Sequence, residues 1–197
     1  MNWTKLVDRC ELMVESDRTL LLNLLYEAEE ELTRSVDLYE DKFTSTLASE
    51  TDSVALPSEG DATYSLFRSP IVVLHNGVKL KAMHEYDFYF KSDNTKHAGT
   101  PIGYSIKNNT INLSHKAKIG DKITVIYYGI VNVHIGVSPS IPEQYHKDLC
   151  YYACYIAQLK RAPEVASAYM QLWLETIKNI KIEEGRRDIV YTIREEI

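Results

Sequence analysis

Long apolar runs are missing from this sequence, and none approaches the ~20 residues that a membrane-spanning helix requires. The first residues, MNWTKLVDRCELM, lack the apolar core of a secretion signal. Cysteine is scarce: three residues, an odd number in apolar contexts, argue against the disulfide framework of a small secreted domain. We therefore expect neither a membrane protein nor a disulfide-stabilised secreted one.

Sequence signatures of catalysis and of metal binding are missing too. There is no GxxxxGK[ST], no GxSxG and no GxGxxG after a strand, and the six histidines form neither HxH nor HExxH. Cys150 and Cys154 stand one helical turn apart, but without a second pair of ligands we interpret them as apolar core residues. Glu183 and Glu184 lie in charged sequence, not among apolar residues that raise a carboxyl pKa. We expect no enzyme, no cofactor and no metal site.

Positive charge is in short supply. With 22 basic and 28 acidic residues the net charge is −6, whereas proteins that wrap nucleic acid normally carry the opposite sign. Tight duplex binding is therefore not expected. Acidic residues concentrate between residues 17 and 42, which we interpret as a solvated helix face, or alternatively as a surface that lines something anionic or meets a basic partner. They are Asp17, Glu27, Glu29, Glu30, Glu31, Asp37, Glu40 and Asp41.

Apolar residues recur at helical spacing near both ends of the chain. Residues 3–14 predict a short helix, residues 18–48 a long one, and residues 138–181 two helices joined by a very short turn. Ser140 and Glu143 form a capping-box pattern at the start of the third helix. A link this short forces the last two helices to lie antiparallel. Their predicted apolar stripes are Tyr145, Leu149, Tyr152, Ile156 and Leu159, and Val165, Tyr169, Leu172, Trp173, Ile177 and Ile180.

The middle of the chain has a period of two. After a polar, turn-rich linker at 49–61, residues 62–137 are enriched in β-branched and aromatic side chains and predict short strands. Asn76-Gly77 predicts a tight hairpin, because both central residues of a type I′ turn need positive φ, and Asn108-Asn109 predicts a second one. Since no helices intervene, we expect antiparallel pairing. The predicted strand segments are YSLF, PIVVLHNGVKL, YDFYFK, IGYSI, TINLS and DKITVIYYGIVNVHI.

These patterns predict an α+β fold: an antiparallel helical bundle built from N- and C-terminal helices, with an inserted antiparallel β-sandwich or barrel module. Neither helix pair alone has enough partners to cover its apolar stripe. Residues 1–48 and 138–184 would form the bundle, 49–61 the linker and 62–137 the module. Residues 189–194 alternate, so residues 185–197 predict an extended C-terminal tail, either frayed or completed as a strand by another chain.

Several short motifs follow one another in a characteristic order. The start MNWTKLVDRCELMVE leads into a long helix and an Asn-Gly-containing β-segment. A Y-x-I-x-x-x-x-I-x-L element follows at Tyr104–Leu113, then G-D-x-I-x-V-x-Y-Y at Gly120–Tyr128, then P-x-x-Y-H-x-x-L within Ile141–Leu149. In this order they resemble the head–tail adaptor (connector) proteins of tailed bacteriophages. The resemblance spans nearly the whole chain.

The resemblance implies a structural virion protein of the neck, made in the host cytoplasm. Such adaptors form a homo-oligomeric ring, usually of twelve copies, that binds the portal protein above and tail or nozzle proteins below while the genome passes through the middle. An acidic lumen would repel the DNA phosphates. The alternative is a non-enzymatic protein-binding module of a cellular complex, with a ligand-recognising β-sandwich.

The C-terminal tail is the candidate docking segment, because its alternating pattern has no evident partner within the chain. We expect it to contact a neighbouring copy or the portal. Arg186 and Arg187 would act as charge anchors, and the apolar contacts would come from Ile189, Val190, Tyr191 and Ile193.

Overall fold

The fold is α+β in a computed structural model that describes residues 1–58, 63–84, 88, 99–132, 134 and 136–195, the last eleven by their backbone alone. The chain divides into two compact units. Met1–Tyr39 and Ile130–Ile197 form the helical unit, and Glu40–Gly129 forms the β-unit. Among the described residues, no helix has both the length and the apolar character to cross a membrane.

The helical unit takes its helices from both ends of the chain. They are α1 (Trp3–Met13), α2 (Arg18–Ser35), a 3-10 helix (Glu143–Asp148), α3 (Leu149–Gln158) and α4 (Pro163–Glu195). Asp17 caps α2, since its Oδ1 accepts hydrogen bonds from the backbone N–H groups of Thr19 and Leu20. Asn2 caps α1 in the same way through the N–H of Lys5.

One hydrophobic core joins these helices. Leu6 and Cys10 of α1, Leu25 of α2, and Trp173 and Ile180 of α4 all belong to it and are almost fully buried. On α3 the core face is rotated from the predicted stripe: Cys150, Ala153 and Cys154 are buried beside Leu149, while Leu159, the residue after the helix, is exposed. On α4 the exposed Val165 and Leu172 also leave the predicted stripe.

The long helix predicted over 18–48 was wrong in its second half. α2 ends at Ser35, and Glu40–Thr46 forms strand β1. Phe43 and Leu47 stand at helical spacing from the residues of α2, but the segment between them, Thr-Ser-Thr, favours extended backbone. All seven residues of Glu40–Thr46 pair with the distant segment 122–128, and the hydrogen bonds of this pairing favour a strand over a continued helix.

The capping box predicted at Ser140 was also wrong. The chain there enters a 3-10 helix at Glu143, after Pro142, and no side chain caps it. The Ser140 N–H instead donates to a carboxylate oxygen of Glu29. A long-range acceptor has therefore replaced the local one.

The C-terminal helix is longer than predicted: the sequence predicts its end near residue 184, whereas α4 continues without a break to Glu195. The extended tail predicted for 185–197 is thus helical in its backbone as far as Glu195. A single glycine in a helix costs about 1 kcal/mol, which the flanking Glu and Arg residues, good helix formers, can offset. Six alternating residues are too few to identify a strand.

Besides β1, the described part of the β-unit contains β2 (Thr51–Ala55), β3 (Leu66–His75), β4 (Val78–Lys79), β5 (Lys81–Ala82), β6 (Gly103–Lys107), β7 (Thr110–Ala117) and β8 (Lys122–Ile130). These strands form two four-stranded sheets. One has the order β1-β8-β3-β4 and the other β2-β7-β6-β5. The predicted linker at 49–61 was wrong in part, since β2 lies within it, and so was uniformly antiparallel pairing, since β5 and β6 run parallel.

Both predicted tight turns are confirmed. Asn76 and Gly77 have φ of 48° and 84°, and Asn108 and Asn109 have φ of 50° and 56°. These values match a type I′ turn, in which asparagine and glycine tolerate positive φ. The strand predicted from YDFYFK lies outside the described residues except for Phe88, which is not in a strand.

Residues of both sheets share a second hydrophobic core. Val73 of β3, Ile123 and Tyr127 of β8, and Ile111 of β7 are fully buried in it. Alternate residues of β8 point into this core, as the period-two pattern predicts. Each unit therefore has its own core.

Candidate interaction surfaces

The acidic residues between 17 and 42 do not form one solvated face. Asp17 caps α2, and Glu29 is fully buried. Asp41 lies in β1 and accepts hydrogen bonds from Ser65 and from the Tyr127 hydroxyl. The acidic residues that remain partly or fully exposed on α2 are Glu27, Glu30 and Glu31.

Glu29 connects α2 to the chain that returns from the β-unit. Its Oε1 accepts the backbone N–H groups of Ser140 and Ile141, and its Oε2 lies 2.8 Å from Nδ1 of His134. Four residues along, the Thr33 hydroxyl oxygen accepts the N–H of Val131 at 3.0 Å. Sequence analysis missed this role, although Glu29 stands four residues after Leu25 on the apolar stripe of α2, where an acid needs buried partners.

A shallow groove of about 440 Å³ runs between the 3-10 helix, α3 and α4. We call it the acidic groove and define it by Asp148, Tyr151, Leu172, Glu175 and Glu183. The Tyr145 hydroxyl, at its edge, donates to Oε2 of Glu183 at 2.6 Å. Burial raises the pKa of Asp148, while the nearby charges of Arg9 and Lys147 oppose the rise. The groove combines three carboxyl groups with an apolar side chain, Leu172, that is 41% exposed.

One end of the β-unit combines lysines with exposed apolar side chains. The β3–β4 turn, the β7–β8 turn and the segment before β6 meet there, at the opposite end of the β1–β8 ladder from Glu40 and Tyr128. Val78, Ile102 and Ile119 are 68%, 69% and 70% exposed. We call this surface the lysine tip and define it by Val78, Lys79, Ile102, Lys118, Ile119 and Lys122.

Asp121 holds the two turns of the lysine tip together. Its Oδ1 accepts from the Asn76 side-chain amide at 2.8 Å, and its Oδ2 accepts the Lys118 N–H at 2.8 Å and lies 2.9 Å from Nε2 of His75. The Asn76 oxygen in turn accepts the N–H of Lys122. Hydrogen bonds from Asn76, His75 and the Lys118 N–H lower the pKa of Asp121 from 3.8 to about 2.

This network predicts a pH dependence of the β-unit. Because the pKa of Asp121 is lower in the folded state, its stabilising effect is complete above pH ~3.8 and is lost as the pH falls toward 2. We expect D121N to lower the melting temperature of the β-unit at pH 7 and to flatten its fall between pH 4 and 2. Thermal unfolding followed by circular dichroism at several pH values measures both effects. A D121N protein with the wild-type pH profile would contradict the role of Asp121.

The predicted docking residues lie at the end of α4. Arg186, Arg187, Ile189, Val190, Tyr191 and Ile193 all fall on its helical backbone, and their side chains lie outside the described part of the structure. The last α4 residue in the described core is Ile180. The helix backbone therefore runs fifteen residues, or about 22 Å at ~1.5 Å per residue, beyond that residue.

The three cysteines behave as the sequence predicts for core residues. Cys10, Cys150 and Cys154 are buried, free and part of the helical core. The pKa of Cys10 is raised, chiefly by hydrogen bonds with the other two sulfurs and also by burial, which favours the protonated thiol. Within the described residues no group of three or more His, Cys, Asp or Glu side chains could hold a metal ion.

Comparison with models of known protein families identifies a match. The family model described as "SU10 adaptor protein" matches residues 1–193, so it covers both the helical unit and the β-unit. No curated protein matches the chain.

Proposed function

Because the chain belongs to the SU10 adaptor protein family, a family of phage head–tail adaptors, we propose that it forms a ring below the portal that joins the head to the tail. As an adaptor it is a structural phage protein. The ring would bind the portal protein on one side and tail or nozzle proteins on the other. Its place would be the neck of the virion.

The family match over residues 1–193 is the observation that carries this proposal. It favours a phage adaptor over a module of a cellular complex. Two units with separate cores also suit a protein that must present different surfaces to different partners. We propose that the helical unit is an antiparallel bundle, that the β-unit is a sandwich inserted into it, and that rotation about a closed axis relates about twelve copies.

The DNA channel is the second part of the proposal. Glu27, Glu30 and Glu31 of α2 would face the hole of the ring, where their charge repels the DNA phosphates and prevents the duplex from adhering. A net charge of −6 per copy supports this arrangement. Arg34 lies 2.7 Å from Glu30 and neutralises part of this charge. A map of the assembled neck tests the orientation of α2, and a ring with α2 turned away from the hole would contradict it.

The end of α4 is the proposed docking segment of the adaptor. The support is its length beyond the core and a sequence that combines Arg186 and Arg187 with the apolar Ile189, Val190, Tyr191 and Ile193. An amphipathic helix of this kind binds by placing its apolar face in a groove of its partner. We propose that it contacts a neighbouring copy or the portal.

Removal of the protein from an infection tests the adaptor function. A phage that cannot make this chain should accumulate DNA-filled heads and free tails, because the joining surface is missing. Purified wild-type protein added to such an extract should restore infectious particles by at least about a hundredfold. Electron microscopy and plaque counts measure the two effects. Normal tailed particles without the chain would contradict the proposal.

A further inference from the structure

Charge is distributed unequally between the two units. Acidic and basic residues are equal in number within Glu40–Gly129, so the whole net charge of −6 belongs to the helical unit. Within the β-unit, exposed lysines gather at the lysine tip. Among the residues that the structure describes, the acidic side chains at that end include the exposed Glu50 and Asp121, and Asp121 is already engaged in hydrogen bonds. The tip is therefore a basic and apolar surface on a protein that is otherwise acidic.

The acidic groove has the complementary composition. It offers the carboxyl groups of Asp148, Glu175 and Glu183 where the tip offers lysines, and it offers Leu172 and Tyr151 where the tip offers Val78 and Ile119. A cation that enters the groove would also relieve the unfavourable burial of the Asp148 carboxylate.

We propose that the lysine tip of one copy docks into the acidic groove of the neighbouring copy. This inference rests on the proposed function, because it requires copies side by side in a ring. Every copy carries one tip and one groove, so each contact uses one of each, and such head-to-tail contacts form a ring when the rotation closes. The Asp121 network fixes the tip before binding, which reduces the entropy that docking costs.

Photo-cross-linking in assembled particles tests the contact directly. Ile119 is replaced by benzoylphenylalanine, and particles are built from a mixture of ¹⁴N- and ¹⁵N-labelled chains. We expect mixed-isotope cross-links between position 119 and the peptides that contain Tyr151 or Leu172. The matched control places the same cross-linker at Ile71, an exposed residue of β3 in the same unit, and should give no such product.

Charge reversal gives a second, independent test. K118E and E175K should each lower incorporation into particles by about tenfold, because each places like charges at the contact. The double variant K118E/E175K should return to within about threefold of the wild type, since every contact again pairs opposite charges. All of these substitutions are at exposed positions, and circular dichroism checks that the variants fold.

The outcomes separate the inference from the proposed function. Rings in which position 119 cross-links to the portal, to a tail protein or to DNA would overturn the docking of tip and groove and leave the adaptor ring intact. The same conclusion would follow if the effects of K118E and E175K were additive. Particles with no ring of this chain would overturn the proposed function itself.

Discussion

Truncation after Gly185 should give a folded protein that no longer enters the phage particle. The last described core residue of α4 is Ile180, so the truncated chain keeps its core, and we expect its free energy of unfolding to change by less than about 1 kcal/mol. Incorporation should fall at least about tenfold, because the removed segment contains all six candidate docking residues. Quantitative mass spectrometry of purified particles gives the copy number.

Two matched double variants distinguish a docking role of specific residues from a general effect of positive charge on α4. R186A/R187A should reproduce much of the truncation, whereas K178A/K181A removes two exposed lysines earlier on α4 and should leave incorporation close to that of the wild type. Normal incorporation of the truncated chain would refute the role of this segment. Equal losses in the two double variants would show that charge alone is responsible.

Replacement of Glu29 by alanine is expected to destabilise the helical unit by about 3–5 kcal/mol. The carboxylate is fully buried and satisfies the N–H groups of Ser140 and Ile141 as well as the imidazole of His134. Its loss leaves three polar groups without their acceptor, and each unsatisfied buried group costs about 1–3 kcal/mol. The returning chain at 131–141 would lose its main attachment to α2.

Tryptophan fluorescence measures this effect selectively, because Trp3 and Trp173, the two tryptophans of the chain, both lie in the helical core. Urea unfolding of E29A should show a lower midpoint, and E29Q, which keeps one acceptor oxygen, an intermediate one. The matched control is E27A on the same helix, which removes an exposed carboxylate that accepts from the Tyr152 hydroxyl and should cost about 0.5 kcal/mol. Equal midpoints for E29A and E27A would contradict the account.

The elements that the sequence predicts correctly depend on local chemistry. The turns at Asn76 and Asn108 follow from the few residues that tolerate positive φ. The interpretation of Cys150 and Cys154 as core residues rests on their apolar character and on the lack of further ligands at metal-binding spacing, and both are buried. None of these predictions needs knowledge of a distant partner.

The elements that it predicts wrongly depend on distant partners. Phe43 and Leu47 continue the helical spacing of α2, but pairing with β8 places the first of them in a strand. Ser140 and Glu143 match the pattern of a capping box, but the backbone N–H of Ser140 donates to Glu29 and not to Glu143. Periodicity does not reveal a partner 82 residues away, as for Phe43 and Val125, or 111 residues away, as for Glu29 and Ser140.

The candidate surfaces show the same division. The sequence shows that acidic residues concentrate between residues 17 and 42, but only the fold distinguishes the buried Glu29 from the exposed Glu27. The lysine tip is invisible in sequence, because Val78 and Ile119 lie on different turns that meet only after the strands pair. The docking role of the C-terminal side chains stays a prediction from sequence.

The arrangement of copies around the DNA is the central claim, and a cryo-electron microscopy map of the neck of the intact particle tests it most directly. We expect closed density beneath the portal into which about twelve copies of the helical unit fit, with the end of α4 against a neighbour or the portal. A neck without this chain, or with single copies at its periphery and no central opening between them, would contradict the account.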